Sequence, residues 1–189
     1  MDFFTWGAMS GLLEVGITHP IDVFKTRTHV RGISRPFRPY AGVLPRMAGV
    51  VPMRCVFWGT MLAGEKPLGI VASSALAGIA QTMIDVPVEN MKIRNIMGTC
   101  KPIYTGFWPN CARNVGFALC IGLTIHMPAP HGVLGTAVGV LVTQPLDVYK
   151  TSLQSGLPRQ SLLNGIGPRF IQAMGAMAIG KFVVEIMQR

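Results

Sequence analysis

Charge is what this sequence has little of. Only 13% of its 189 residues are Asp, Glu, Lys or Arg, and just 8 are acidic, where an ordinary soluble domain carries roughly 25% charged residues. So sparse a set cannot clothe a water-facing surface. Cysteine is scarce as well: Cys55, Cys100, Cys111 and Cys120 lack any paired spacing, which excludes a disulfide scaffold and a cysteine metal site and leaves four reduced packing residues. Disorder is excluded by a hydrophobic share of 50%. Before Lys25 there is an acid, Asp2, and no Lys or Arg, so neither a secretory signal nor an Arg-rich transit segment is expected there. What abounds is apolar sequence, with a mean hydropathy of +0.43. A membrane protein is the class that remains. One spanning helix takes ~20 residues, so six would use about 120 and leave little outside the bilayer.

The net charge of +9 is no argument for nucleic acid. Phosphate binding needs basic side chains gathered on one exposed face, and here they fall singly between apolar stretches. A basic excess is equally what loops on the negative side of an energised membrane carry.

Three internal segments set the organisation: Pro20-Ile21-Asp22-Val23-Phe24-Lys25, Pro87-Val88-Glu89-Asn90-Met91-Lys92 and Pro145-Leu146-Asp147-Val148-Tyr149-Lys150. Each has an acid two residues after Pro and a Lys five after it; Arg27 and Arg94 follow in the first two. The prolines are 67 and 58 residues apart. Upstream, in matching register, stand the small residues Gly7 and Gly11, Ser74 and Gly78, Gly132 and Thr136, whose four-residue spacing lets helix backbones approach closely. Downstream come Tyr40-Ala41-Gly42 with Pro45, Tyr104-Thr105-Gly106 with Pro109, and Leu163-Asn164-Gly165 with Pro168. The repeats read as 1–66, 67–129 and 130–189 of a single domain covering 1–189. Each is expected to hold two helices, the first kinked at Pro20, Pro87 or Pro145 because the ring removes one backbone bond and crowds the preceding turn. The expected spans are 2–30, 43–64, 68–98, 107–127, 131–155 and 160–188. The second is the weakest by hydropathy, since it holds Arg46 and Arg54.

This pattern resembles the mitochondrial carrier family, whose signature Pro-x-Asp/Glu-x-x-Lys/Arg recurs three times, each time followed by an aromatic-x-Gly. The resemblance covers essentially the whole chain. It implies an all-α membrane protein: six transmembrane helices in three pseudo-symmetric two-helix repeats, in the mitochondrial inner membrane, with both termini toward the intermembrane space. Only 22 to 25 residues separate each signature Pro from the second Pro, so the family's amphipathic matrix helices should be shortened or absent and the chain a reduced, divergent member. Basic Arg31, Arg35, Arg38, Lys101 and Arg159 follow the signatures, whereas the opposite loops hold Glu65-Lys66 and the stretch from Met127 to His131, as the positive-inside rule asks.

The resemblance implies a matrix gate of three ion pairs, Asp22 with Lys92, Glu89 with Lys150 and Asp147 with Lys25, braced by Gln154. Buried charges need such partners, although the same pairs equally serve as plain helix glue. The bracing positions of the other two pairs hold His29 and Ile96. The opposite gate is poorly encoded: the family register falls on Leu62, His126 and Glu185, and three residues on at Glu65, Ala129 and Gln188, so only Glu185 fits. Substrate contacts in the family lie seven and eight residues past each Gly, here Gly49-Val50, Arg113-Asn114 and Gln172-Ala173. Arg113, Asn114 and Gln172 are the polar candidates. An Arg there either grips an anion or is neutralised by the protein itself. Helix starts at Gly42, Gly106 and Gly165 are where the family docks cardiolipin phosphates on free N–H groups; glycine also simply permits the turn.

Gly175 to Lys181 spells a phosphate-loop pattern, but Phe182 follows it and no strand precedes it. His126 and His131 have no further ligand nearby, so no metal or cofactor is expected. No nucleophile–base constellation presents itself, so no enzyme is expected either. Two functions fit. One is an inner-membrane carrier moving a small carboxylate or other metabolite by alternating access. The other is a transport-inactive carrier fold serving as a structural subunit of a large membrane complex.

Overall fold

The computed structural model describes residues 3–99, 101–124 and 129–175, and among these it is helical without a strand. Helix α1 covers Phe3–Thr28, α2 Val43–Met97, α3 Phe107–Thr124 and α4 Ala129–Ser155; α5 opens at 166 and is described to 175. α1, α2 and α4 run through Pro20, Pro87 and Pro145 without interruption. Two expected boundaries are corrected. The break foreseen between 64 and 68 falls instead at Gly69 (φ 78°, ψ 162°), where two helices meet, so Glu65, Lys66 and Pro67 lie in the first of them. That backbone region is open to glycine and costly for other residues, so the chain turns there without a loop and α2 has two arms. The last helix starts at 166 instead of 160, because Gly165 at φ 80° closes a turn over 162–165. Residues 176–189, with Glu185 and Gln188, lie outside the described residues, as do Cys100 and His126.

Polarity runs the wrong way round for a water-soluble protein. Lys92, Lys150, Gln144 and Gln154 are among the largest fully buried side chains, whereas Ile17, Val71 and Val142 stand more than half exposed. Soluble proteins almost never bury Lys fully. In lipid the distribution is natural, since apolar side chains meet acyl tails and charged ones turn inward to find partners. Among the described residues one stretch, Ala63–Met97, is long and apolar enough to cross a membrane by length and composition. The inward-facing acids, lysines, histidines and glutamines lower the hydropathy of the other helices.

The segments 29–42 and 156–165 contain no helix, and neither do the described residues of 98–106. They close over the signature end instead. Val30 and Arg159 form an antiparallel bridge, flanked by Arg31 N–H to Pro158 O at 2.9 Å and Gln160 N–H to His29 O at 2.9 Å. Beneath it, Val23, Val30, Ile93, Ile96 and Met97 form a dry cluster with Ile33, Ala41 and Leu157 packed against it.

Close helix approach depends on glycine. A Cβ on Gly78 would lie 2.7 Å from the Val115 backbone of α3, so no side-chain movement could make room. Gly78→Ala is expected to cost about 1–3 kcal/mol, the range for forcing a methyl group into a filled contact. Thermal unfolding in detergent measures it, with Gly59→Ala, which meets nothing within 4 Å, as the unaffected control.

Candidate functional site

The six signature charges meet at one end of the bundle. α1 and α4 bring Lys25 to Asp147 at 2.7 Å, α1 and α2 bring Asp22 to Lys92 at 3.0 Å, and α2 and α4 bring Glu89 to Lys150 at 3.0 Å. Contacts within a helix turn link the pairs: Lys92 to Glu89 at 3.0 Å and Lys150 to Asp147 at 3.5 Å. The acid and the Lys stand three residues apart on one helix face, so Lys92 and Lys150 each reach both their own acid and that of a neighbour, whereas Lys25 reaches Asp147 of its neighbour. An unbroken run of alternating charge results, from Lys25 through Asp147, Lys150, Glu89 and Lys92 to Asp22. All six groups are buried.

Gln154, the expected brace, is buried, and among the described residues its amide atoms have no hydrogen-bond partner; its Cγ packs where a Cβ on Gly106 would sit, 3.1 Å away. His29, at the equivalent place in the first repeat, bonds Thr151 Oγ1 at 3.1 Å.

A second layer of charge, absent from the sequence reading, lies about 6 Å from the first, one helical turn along α2 from Glu89. Its centre is Arg113 on α3. Nη2 donates to Asp85 at 2.7 Å and Nη1 to Asp147 at 2.9 Å. Asn114 accepts from the same guanidinium at 2.7 Å and donates to Thr82 Oγ1 at 3.0 Å and Asp85 at 3.2 Å. Arg46, on the first arm of α2, reaches Asp85 at 3.3 Å and Glu89 at 3.5 Å. Arg169, on α5, sits 3.8 Å from Asp147 and donates to Gln144 and Thr143. Arg46, Asp85, Arg113, Asp147 and Arg169 thus form a second alternating chain. Arg113 is thus neutralised within the protein, by Asp85 and Asp147. Gln172 lies half-buried one turn beyond Arg169. Farther along α1, about 12 Å from Asp22, Glu14 pairs with Arg54 of α2.

Gly42, Gly106 and Gly165 share a left-handed backbone, at φ 77°, 77° and 80°. Each abuts the signature end of the next repeat, since added Cβ atoms would strike Lys92, Gln154 and His29 respectively. Turn and close approach both demand glycine there. The carbonyl before each glycine is held by its own repeat: His19 Nε2 lies 3.0 Å from Ala41 O, Asn90 donates to Thr105 O at 3.1 Å, and Gln144 donates to Asn164 O at 2.7 Å.

An all-helical chain with an apolar exterior around stacked layers of buried charge has the build of a membrane carrier. Known proteins agree. No family model matches the chain, but it is 26% identical over 236 aligned positions to S-adenosylmethionine carrier 1, chloroplastic/mitochondrial, of Arabidopsis thaliana, covering 89% of this chain and 72% of that one. It is 23% identical to mitochondrial 2-oxodicarboxylate carrier 2 of Saccharomyces cerevisiae (80% and 74% covered) and 24% identical to a tricarboxylate transporter of Gibberella moniliformis (90% and 75% covered). Over most of its length the chain is therefore similar to mitochondrial carriers, as a divergent relative of them.

Proposed function

We propose that the protein is a mitochondrial inner-membrane carrier for a small carboxylate, with six membrane-spanning helices, both termini toward the intermembrane space and no enzymatic activity. The observation that carries this reading is the Arg46–Asp85–Arg113–Asp147–Arg169 chain. Three arginines converge on the interior from α2, α3 and α5, and a guanidinium is suited to planar, two-pronged recognition of carboxylate. The named cargoes of the relatives, S-adenosylmethionine, a 2-oxodicarboxylate and a tricarboxylate, all bear carboxylates, which supports it. Arg113 is the anchor, with Asn114 beside it and Gln172 near the entrance. The ring of Asp22, Lys25, Glu89, Lys92, Asp147 and Lys150 acts as the matrix gate, closed in this conformation and backed by the Val30–Arg159 bridge. Alternating access needs a second conformation of comparable free energy, so an arriving anion must draw Arg113 from its two carboxylates and loosen the ring through Asp147, which both layers share. Cardiolipin phosphates dock at the starts of the helices behind Gly42, Gly106 and Gly165.

A second reading, a transport-inactive subunit of a large membrane complex, draws support from the same Arg113, whose guanidinium is already claimed by Asp85 and Asp147. Liposome reconstitution with a panel of labelled organic acids separates the two. Uptake at least tenfold above empty liposomes is the result expected of a carrier. No uptake, together with stoichiometric co-purification in a large inner-membrane assembly, would establish the structural role.

A further inference from the structure

Asp85 breaks the threefold pattern. It stands two residues before Pro87, where the other repeats have Thr18 before Pro20 and Thr143 before Pro145. All three side chains are buried. Each threonine donates its hydroxyl to its own helix, at Glu14 O and Gly139 O, and Thr143 also accepts from Arg169 Nη2, so in these two repeats a neutral hydroxyl suffices at this position. Asp85 puts a full negative charge there and gathers Arg113, Arg46, Asn110 and Asn114 around it at 2.7, 3.3, 3.1 and 3.2 Å.

The charge balance shows what that acid changes. The signature ring is neutral, with Asp22, Glu89 and Asp147 set against Lys25, Lys92 and Lys150. Among the described residues the layer above it adds Arg46, Arg113 and Arg169 and one acid of its own, Asp85, since Asp147, which it shares, is already counted in the ring: three positive charges less one negative, an excess of two. With threonine in place of Asp85 the excess would be three. We infer that Asp85 is the specificity-determining residue for cargo charge: it stands in for one carboxylate of the ligand, so that the arginine layer accepts a dicarboxylate and rejects a tricarboxylate. A dianion brings the layer to neutrality. A trianion overshoots it and sets a like charge against Asp85, in surroundings where little water screens the repulsion. Arg46 keeps donors for the ligand, since Nη1 alone serves Asp85 and Glu89 and a guanidinium has five N–H groups.

This inference rests on the carrier reading above, and one experiment separates the two. The full chain and its Asp85→Asn and Asp85→Thr variants are compared in liposomes for uptake of 2-oxoglutarate, a dianion, and citrate, a trianion near neutral pH. The unaltered protein should prefer 2-oxoglutarate at least tenfold, and both variants should shift the ratio at least tenfold toward citrate. Asp85→Thr copies the sister positions, and melting temperature reports whether each variant folds. Retention of the original preference in variants that still transport overturns the role of Asp85 and leaves the carrier reading standing. Loss of the fold in both variants also overturns it, by making Asp85 a structural acid. If the unaltered protein takes up neither acid, the carboxylate-carrier reading fails and this inference with it.

Discussion

Asp147→Ala is expected to lower stability by about 3–5 kcal/mol, the cost of removing one partner from a buried ion pair. Asp147 is the residue on which both charge layers converge. Lys25 at 2.7 Å, Arg113 at 2.9 Å, Lys150 at 3.5 Å and Arg169 at 3.8 Å all share its carboxylate. Its removal leaves four cations from four helices with less compensation and nowhere to find water. For a chain of this size 1 kcal/mol corresponds to about 2–4 °C, so the melting temperature in detergent should fall by about 10 °C. Asp147→Asn keeps the shape and removes the charge, and it should do nearly as much damage; a mild Asn variant would mean that packing, not charge, matters at this position. Arg38→Ala, at an exposed site between helices, should stay within about 0.5 kcal/mol. A shift of only a few degrees for both Asp147 variants would show that the convergence seen here contributes little.

The signature ring was legible in the sequence because its information is local and repeated. An acid and a Lys three residues apart share a helix face, and three copies in register leave few ways to pair them. The glycine-headed helix starts were legible for a similar reason, as Gly42, Gly106 and Gly165 must take a positive φ that other residues resist. The arginine layer was not. Arg46 looked like an obstacle to a membrane span, although it and Arg169 stand at one register position, directly after Pro45 and Pro168, where the second repeat has Asn110 after Pro109, and Asp85 has threonine at both sister positions. A repeat search finds what all three copies share, whereas this layer is built from positions that only one or two copies charge. An acid buried in an otherwise apolar run was the available signal for Asp85. The break within α2 falls at Gly69 and not before Leu68, because a lone glycine in apolar sequence gives no sign of whether it ends a helix or bends one. Gln154 lies where the register put it, against Gly106, with an amide that has no partner among the described residues.

Arg113→Ala should be the most damaging change to function and nearly as costly to stability as loss of Asp147. It leaves Asp85 without its closest cation, although Arg46 remains at 3.3 Å, and takes one of four cations from Asp147. A loss of about 3 kcal/mol is expected, with uptake of any carboxylate reduced at least a hundredfold, which is about 2.7 kcal/mol of lost binding at two factors of ten. Arg113→Lys keeps the charge but not the fork, so its single ammonium cannot donate to Asp85, Asp147 and Asn114 with the spread that Nη1, Nη2 and Nε provide. It should recover most of the stability and little of the uptake. The double variant Arg113→Ala with Asp85→Asn decides between the two roles of this arginine. Removing both ends of the pair discharges the buried carboxylate, while Asp147 keeps Lys25 at 2.7 Å, so stability should return by roughly 1–3 kcal/mol relative to the single variant, the usual size of coupling between groups in contact. Uptake should not return with it, because no cation then remains on α3 to take the anion. Recovery of stability without transport would assign Arg113 to the cargo, whereas recovery of both would make it a helix clamp whose only duty is to neutralise Asp85.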